Sequence, residues 1–480
     1  MALRVVVLGA GPGGYVAAIR AARLGAQVTL VERNRIGGTC LHWGCIPTKV
    51  MKSACEVLEA MARAPEMGIR LEGPSRLDLQ ALRARMAKVV DTQEKAVSNL
   101  LGRLKVRQVK GVGRVEGHGT LCVENELGQR TTLEWDRLIL ATGSVTAELP
   151  ALPFDGTRVL SSSDVLALQE VPERVLVVGA GVIGCELACI LRTMGSQVRM
   201  VEAMDRVLPI PSLDPDSSTL MEREMRKKGI ELSLGCLVDK VEDHPDGGLS
   251  ITLRPMGAAP QSFPEQKPSR SILADKVVVC VGRRPSTQEL GLEKLDLNLD
   301  PNGWILVDHR LETSAPGVFA VGDALGPTRP MLAHLASAEG MLAAENALEA
   351  NESMDYGAVP SAIFTSPELG CVGMSEAQAR EQGLEVGVEV FLIRTLGKAQ
   401  ALGELGGQAK VVYEKRSHRI LGFQLIGPRA TELISACTVA LTMGATLEGL
   451  ARVVFPHPTL SEALGELSQK ALGKPVHGLF

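Results

Sequence analysis

The chain has 480 residues, 45% of them apolar and 22% charged, with a net charge of −4. That length and apolar content suffice for about three domains with cores of their own, while the near-neutral balance offers nothing that a nucleic acid or an anionic membrane would hold. Ten cysteines, spread thinly rather than in a dense framework, read as reduced thiols in a cytosol-like compartment.

A strand is predicted from Arg4 to Leu8, with no signal-peptide regions before it, and a cytoplasmic protein is expected. It leads into Gly9-Ala10-Gly11-Pro12-Gly13-Gly14, a helix through Leu24, and a strand from Gln27 to Val31 that ends at Glu32. This is G-x-G-x-x-G in its strand–turn–helix setting, with an acid 23 positions after the first glycine. The glycines let backbone approach a pyrophosphate at the helix N-terminus, and an acid at the end of the second strand accepts hydrogen bonds from ribose hydroxyls. A βαβ unit with glycine turns and no ligand is the alternative.

Next comes Gly37-Gly38-Thr39-Cys40-Leu41-His42-Trp43-Gly44-Cys45-Ile46-Pro47-Thr48-Lys49, two cysteines five apart. In an ideal helix residues i and i+5 point about 140° apart, too divergent for a disulfide. A Cys40–Cys45 bridge therefore requires a distorted turn, which Gly37, Gly38 and Gly44 permit, with Pro47 placed where a helix starts. Cysteines near a helix N-terminus are favoured as thiolates. Spacing alone leaves coincidence open; a redox-active dithiol beside a flavin is the hypothesis that the context supports.

A second unit repeats the first. Val175 to Val178 leads into Gly179-Ala180-Gly181-Val182-Ile183-Gly184, and a strand from Gln197 to Val201 ends at Glu202, again 23 positions after the first glycine. Each copy is closed by a similar strand and glycine turn, Asp136 to Gly143 in one and Asp275 to Gly282 in the other. Two such copies imply two dinucleotide sites. Glu202 pairs with a free 2′-hydroxyl and repels a 2′-phosphate, which favours NAD over NADP; Arg206 argues the other way and weighs less, because the strand-end acid is what the ribose meets.

Pro255 to Ser271, with four prolines, reads as a surface loop. Thr313 to Asp323 is a short strand ending in Gly-Asp, followed by Arg329-Pro330-Met331-Leu332-Ala333-His334 and a helix to about Leu348. From Tyr356 onward strands at Lys410 to Tyr413 and Leu421 to Ile426 and two helices make an α+β domain without a nucleotide fingerprint. The most apolar stretches, Val175 to Leu191 and Leu433 to Leu447, are interrupted or too short to span a bilayer. No metal site is predicted.

In this order the motifs resemble the flavin-dependent pyridine nucleotide–disulfide oxidoreductases over essentially the whole chain. The redox box with Ile46-Pro47-Thr48-Lys49, Met331-Leu332-Ala333-His334, and His457-Pro458-Thr459-Leu460-Ser461-Glu462 point within that family to the branch that oxidises dihydrolipoamide. Glutathione reductases carry a different segment around Met331, and mercuric reductases end in a cysteine pair that His477-Gly478-Leu479-Phe480 lacks. The resemblance implies an α/β fold with two Rossmann-like dinucleotide-binding domains, for FAD and NAD, plus a C-terminal α+β dimerisation domain. It divides the chain into an FAD-binding domain with the redox disulfide (1–150), an NAD-binding domain (151–282), a central segment completing the FAD site (283–350) and an interface domain (351–480).

Carried over residue by residue, it puts FAD on Gly9, Gly11, Gly13, Gly14, Glu32, Gly38, Thr39, Lys49, Gly113, Thr142, Gly143, Ser144, Asp323 and Met331-Leu332-Ala333-His334. NAD falls on Gly179, Gly181, Gly184, Glu186, Glu202, Val238 and Gly282. Lys49 and Glu186 resemble the pair facing the flavin where hydride is exchanged. Cys40 is the exchanging sulfur, Cys45 the one nearer the flavin, and His457 the base, oriented by Glu462 and reaching the dithiol of the other subunit of a homodimer. Thr459-Leu460-Ser461-Glu462 also reads as a capping box, and both readings of Glu462 stand open. The implied reaction is dihydrolipoamide plus NAD to lipoamide plus NADH, on a lipoyl-bearing protein of a 2-oxo acid dehydrogenase or glycine-cleavage complex. Its rivals are an NAD(P)H-driven reductase of another disulfide and a flavin-bearing binding or sensor subunit without turnover. His42-Trp43, Leu335, Ser337 and Phe455 depart from the usual pattern, where asparagine-valine, lysine, glutamate and histidine are common, and bear on the substrate's shape and the redox potential.

Overall fold

The structure, a computed structural model, describes residues 2–73, 76–245, 247–257 and 271–477. Most of the loop expected between Pro255 and Ser271, and the last three residues of the chain, lie outside the described residues. The chain forms two compact units, one of Met1–Ala54, Asp78–Ala147 and Gly282–Asp355, the other of Cys55–Leu77, Glu148–Val281 and Tyr356–Phe480.

The first unit is built on a five-stranded parallel sheet in the order Val318–Ala320, Arg137–Leu140, Arg4–Leu8, Gln27–Glu32, Arg107–Lys110. Val5, Val6 and Val7 are all buried, the continuous apolar run of a strand covered on both faces. The helix Pro12–Arg23 starts with proline at its first position and turns Ala17, Ala18 and Ala21 into the core. It crosses the helix Ala333–Ala347 so closely that a Cβ on Gly340 would lie 2.2 Å from the Gly13 carbonyl oxygen, so only glycine fits there. An antiparallel layer of Val112–Gly117, Thr120–Glu124 and Arg130–Glu134 completes the unit.

The second unit repeats the βαβ core with the same register. Arg4 stands opposite Gln27 and Arg174 opposite Gln197, so strand, turn and helix together span the same length of chain in both copies. Its parallel sheet runs Glu231–Leu234, Gln197–Glu202, Arg174–Val178, Lys276–Val279, Val159–Ser161, and a three-stranded antiparallel layer, Cys236–Asp243, Leu249–Pro255 and Ser271–Ala274, lies in the same unit.

The C-terminal part of this unit is a five-stranded antiparallel sheet in the order Ser361–Ile363, Glu368–Gly373, Ile420–Gly427, Gln408–Glu414, Val386–Leu392, packed on helices Ala430–Thr442 and Glu462–Ala471. The sequence pattern identifies two of these strands. Glu368–Gly373 escapes it because two glycines interrupt the alternation; Gly370 is there because a Cβ would come within 2.8 Å of Ala430 O. Lys410, 2% exposed, joins this sheet to the nucleotide fold of the same unit through Asp214 (2.9 Å) and Asp216 (2.8 Å). Asp214 also accepts from Gln424 Nε2 (2.7 Å) and Glu376 N (3.0 Å). Removing one partner of so buried a pair costs about 3–5 kcal/mol.

Candidate active site

The two dinucleotide turns are superposable in detail. Gly9 and Gly179 both hold φ +101°, where a side chain is strained, and donate N–H bonds to Val31 O (2.8 Å) and Val201 O (2.7 Å). A Cβ on Gly14 would lie 1.8 Å from Gly9 O, and one on Gly184 2.0 Å from Gly179 O. Around Gly11 and Gly181, by contrast, no atom of the described residues beyond the immediate chain neighbours stands within 4 Å of where a Cβ would be. Both turns are therefore tight against their own strand and open toward the helix N-terminus, the shape that admits a pyrophosphate. Glu32 accepts from Ala10 N (2.7 Å) and Asn34 N (2.8 Å), and Glu202 from Ala180 N (2.6 Å) and Met204 N (2.9 Å). Each carboxylate is locked in place with one acceptor site per oxygen left for a ribose.

Around the first turn, Thr142 Oγ1 is buried with no hydrogen-bond partner among the described residues, a polar group that a bound ligand would satisfy. Gly113 is buried, and a Cβ there would strike Leu8 and Val31. Gly143 holds φ +67° and accepts from Ser286 N. Ser144 Oγ donates to Asp323 Oδ2 (2.7 Å) and accepts from Arg283 Nε, whose guanidinium stands 3.4 Å from Asp323. Gly322 N donates to the buried Glu339 carboxylate (2.7 Å). Met331 and Leu332 lead into the helix that begins at Ala333 and His334, with Leu332 as its N-cap. Gly282, read from sequence as part of the NAD site, lies in the first unit, where its carbonyl accepts from Ala147 N. In the second unit Val238 packs in the cluster that includes Val178, Val201 and Val279, at the carboxyl ends of three parallel strands.

The distorted turn required of the dithiol is a break between two helices. Gly37 and Gly38 hold φ +109° and +58°, and a Cβ on Gly38 would lie 2.7 Å from Gly11 Cα, so the segment carrying Thr39 is pressed against the first dinucleotide turn. A short helix, Gly38–His42, carries Cys40; after Trp43 and Gly44, Cys45 opens the helix Cys45–Arg63. Gly44 O accepts from Thr48 N (3.1 Å) and Thr48 Oγ1 (2.6 Å). Both cysteines are unbridged thiols, joined by a hydrogen bond that pushes the Cys40 thiol far up; burial and the charge of Cys45 act in the same direction, against Lys49. Each cysteine lies in the first turn of a helix, Cys40 third in its own and Cys45 first in the next, the setting expected from sequence to favour thiolate; at Cys40 the hydrogen bond within the pair and burial push the other way. Lys49 sits half-buried in the second turn of the same helix.

In the second unit Glu186 is 5% exposed and accepts from Phe364 N (3.0 Å). His457 is 77% exposed, with Nδ1 2.8 Å from Glu462 Oε1, while Glu462 Oε2 accepts from Thr459 N (2.8 Å). The His457 bond is the main reason the Glu462 carboxyl lies below its ordinary range. Of the two readings of Glu462, the capping box is incomplete: Glu462 is the first residue of its helix, and Thr459 Oγ1 bonds Pro456 O and Ser461 Oγ instead of the helix backbone.

Three residues that sequence reasoning missed support these groups. Arg283 and Glu339 hold the Ser144–Asp323 turn; the signals were an arginine directly after the Gly282 turn and an acid between alanine and glycine in the middle of a helix. Glu59, on the helix that starts at Cys45, accepts from Thr193 Oγ1, Lys228 Nζ and Ser366 Oγ, and nothing in its helical surroundings announced it. The unusual residues have ordinary places: His42 is buried with Nε2 2.8 Å from Ile36 O, Trp43 is exposed, Leu335 is buried, Ser337 bonds Ala333 O, and Phe455 lies where a Cβ on Gly465 would touch it. Among the described residues no group of three or more His, Cys, Asp or Glu is placed to hold a metal, and no helix is long and apolar enough to cross a membrane.

Comparison with known proteins agrees with this geometry. The family model for pyridine nucleotide-disulphide oxidoreductases matches residues 3–340, and the one for the dimerisation domain of those proteins matches 359–468. The chain is 39% identical over 475 residues to dihydrolipoyl dehydrogenase 2 of Haloarcula marismortui, covering 98% of this chain and 97% of that one. It is also 39% identical over 474 residues to the dihydrolipoyl dehydrogenase of Thermus scotoductus, covering 98% of each. Among solved structures, LpdA of Mycobacterium tuberculosis is similar with a TM-score of 0.88 at 26% identity, over 98% of this chain and 99% of that one.

Proposed function

The chain belongs to the pyridine nucleotide-disulphide oxidoreductase family, whose cofactors are FAD and NAD, and from that premise we propose how it oxidises dihydrolipoamide to lipoamide with NAD as final acceptor. The observation that carries the reading is the hydrogen-bonded Cys40–Cys45 pair, fixed by Gly38 against a dinucleotide turn. FAD is assigned to Gly9–Gly14, Glu32, Gly38, Thr39, Gly113, Thr142–Ser144, Asp323 and Met331–His334, and NAD to the second turn, Glu186, Glu202, Val238 and Gly282. The open faces of Gly11 and Gly181 and the unpartnered Thr142 hydroxyl support that fit.

His457, held at Nδ1 by Glu462, takes the proton of a substrate thiol on its other ring nitrogen. The resulting thiolate attacks Cys40 Sγ of the oxidised pair; the S–S bond breaks and Cys45 leaves as thiolate, at a helix N-terminus that favours it. The second substrate thiol then attacks the mixed disulfide, closes lipoamide and releases Cys40. One proton ends on Cys40 and one on His457. Bound FAD supplies the two-electron relay that returns the dithiol to the disulfide and passes hydride to NAD. Lys49 and Glu186 are assigned to the flavin face where that hydride is exchanged.

The dimerisation domain supports a homodimer, in which we assign His457 to the dithiol of the other subunit. The donor is assigned to a lipoyl-bearing protein of a 2-oxo acid dehydrogenase or glycine-cleavage complex in the cytoplasm. Anaerobic mixing with dihydrolipoamide and then NAD tests the reaction: stoichiometric NADH is expected. Prompt reduction by NADH with none by dihydrolipoamide would discard lipoamide and keep the architecture.

Glu202 gives a second expectation. Glu202→Ala removes a charged acceptor from the ribose, a loss of about 1.5–3 kcal/mol, so KM for NAD rises roughly tenfold or more and the preference over NADP shrinks. Steady-state kinetics with both nucleotides checks it; an unchanged preference would move the choice to another residue.

A further inference from the structure

The helix that carries Cys40, Gly38–His42, has five residues and no side-chain cap at its start, less than half of the about twelve that a helix needs to persist unaided. Cys45, by contrast, opens a helix of nineteen residues, Cys45–Arg63. The two sulfurs therefore rest on supports of unequal stiffness, and whatever fixes the short helix fixes the distance between them.

Two side chains of the short helix are turned inward. Leu41 is buried and packs where a Cβ on Gly37 would meet it at 2.3 Å. The His42 side chain is 2% exposed, and its Nε2 lies 2.8 Å from Ile36 O. A carbonyl oxygen only accepts, so Nε2 donates. Glu94 Oε1 stands 3.9 Å from the same nitrogen, beyond hydrogen-bond reach, and its carboxylate is engaged by Arg35 Nε (3.0 Å). Nδ1 is closed to solvent with no partner among the described residues. Among those residues the bond to Ile36 is thus the ring's one hydrogen bond.

Ile36 is itself fixed on either side. Arg35 reaches Glu94 and Asp91 (2.7 Å) on the helix Leu79–Arg103, and Gly37 N donates to Ala10 O (2.8 Å) in the first dinucleotide turn. The His42 bond ties the end of the short helix back to that anchored point, across the two glycines that hold positive φ. Cys40, two positions before His42, is carried with it.

We propose, on the reading of Cys40 and Cys45 as the reacting pair, that His42 is the positioning residue of the exchanging sulfur: its Nε2 bond to Ile36 O holds the short helix so that Cys40 stays within hydrogen-bond reach of Cys45. The asparagine common at this position cannot make that bond in the same way, because its amide extends only as far as Nδ1.

The test uses the FAD-loaded protein, reduced with a phosphine and labelled with iodoacetamide near pH 8, with peptide mass spectrometry reading Cys40 and Cys45 separately. Losing the ring bond loosens the hydrogen bond of the pair, the first cause that pushes the Cys40 thiol up, and makes the reactive thiolate more abundant. In His42→Leu, Cys40 labelling is expected to rise several-fold with no rise at Cys45. His42→Gln, which keeps a donor at the place of Nε2, returns it to the parent rate. His42→Asn, a smaller change that also lacks a donor there, is expected to behave as His42→Leu does and replaces it if that variant fails to fold. A rise at both cysteines, no rise at Cys40 when the donor is lost, or a rise in His42→Gln as large as without the donor would overturn the proposal. Chemical reduction keeps these outcomes apart from the reaction itself: failure of dihydrolipoamide to reduce the protein would remove that substrate and leave the labelling comparison standing.

Discussion

Replacing Cys45 by serine is expected to reduce dihydrolipoamide turnover to background while FAD stays bound, and to make Cys40 more reactive rather than less. The hydrogen bond to Cys45 is the first cause that holds the Cys40 proton, burial the second and the Cys45 charge the third. The variant removes the first and third together and leaves burial opposed by Lys49, so the Cys40 thiol comes down toward its ordinary range. Since the thiolate is what reacts, iodoacetamide near pH 8 labels Cys40 of the reduced variant faster than Cys40 of the reduced parent. Peptide mass spectrometry reads both rates. Equal or slower labelling in the variant would mean that Cys40, not Cys45, holds the charge, and the roles of the two sulfurs would be exchanged.

The same pair shows what a sequence makes legible. The two βαβ units could be read to within a residue because each step is a local steric demand: a positive φ at Gly9, no room for a Cβ at Gly14, and an acid at the end of the second strand. The dithiol break was likewise foreseeable, since five residues cannot bring two sulfurs together in a regular helix. What escaped depends on chain-distant partners. Arg283 is meaningful only once Ser144 and Asp323 stand beside it, and Lys410 reads as an exposed strand residue until Asp214, nearly 200 positions earlier in the sequence, is found under it. The upward push on the Cys40 thiol was hidden for the same reason: it comes from the hydrogen bond with Cys45 and from burial, and only the fold brings those about.

The largest kinetic effect short of losing the dithiol is expected at His457. General-base catalysis by a positioned side chain is worth about 10²–10⁴-fold, so His457→Gln should lower dihydrolipoamide turnover by that factor and leave NADH oxidation by artificial acceptors nearly unchanged. Equal losses in both assays would indicate a folding or dimer defect. Glu462 stays ionised well below neutrality because of its bond to His457, so the acid limb of a kcat/KM profile belongs to another group. Mixed dimers then decide whose dithiol the histidine serves. In a dimer of one Cys45→Ser and one His457→Gln subunit, a base acting across the interface leaves one site with both an intact dithiol and an intact histidine. A base acting within its own subunit leaves none. Two purification tags on co-expressed chains isolate that dimer, whose turnover is expected at about half the parent value, one working site of the two a symmetric pair provides. Activity no higher than that of the two single-variant dimers would place His457 on its own subunit's dithiol and remove the catalytic reason for the dimer.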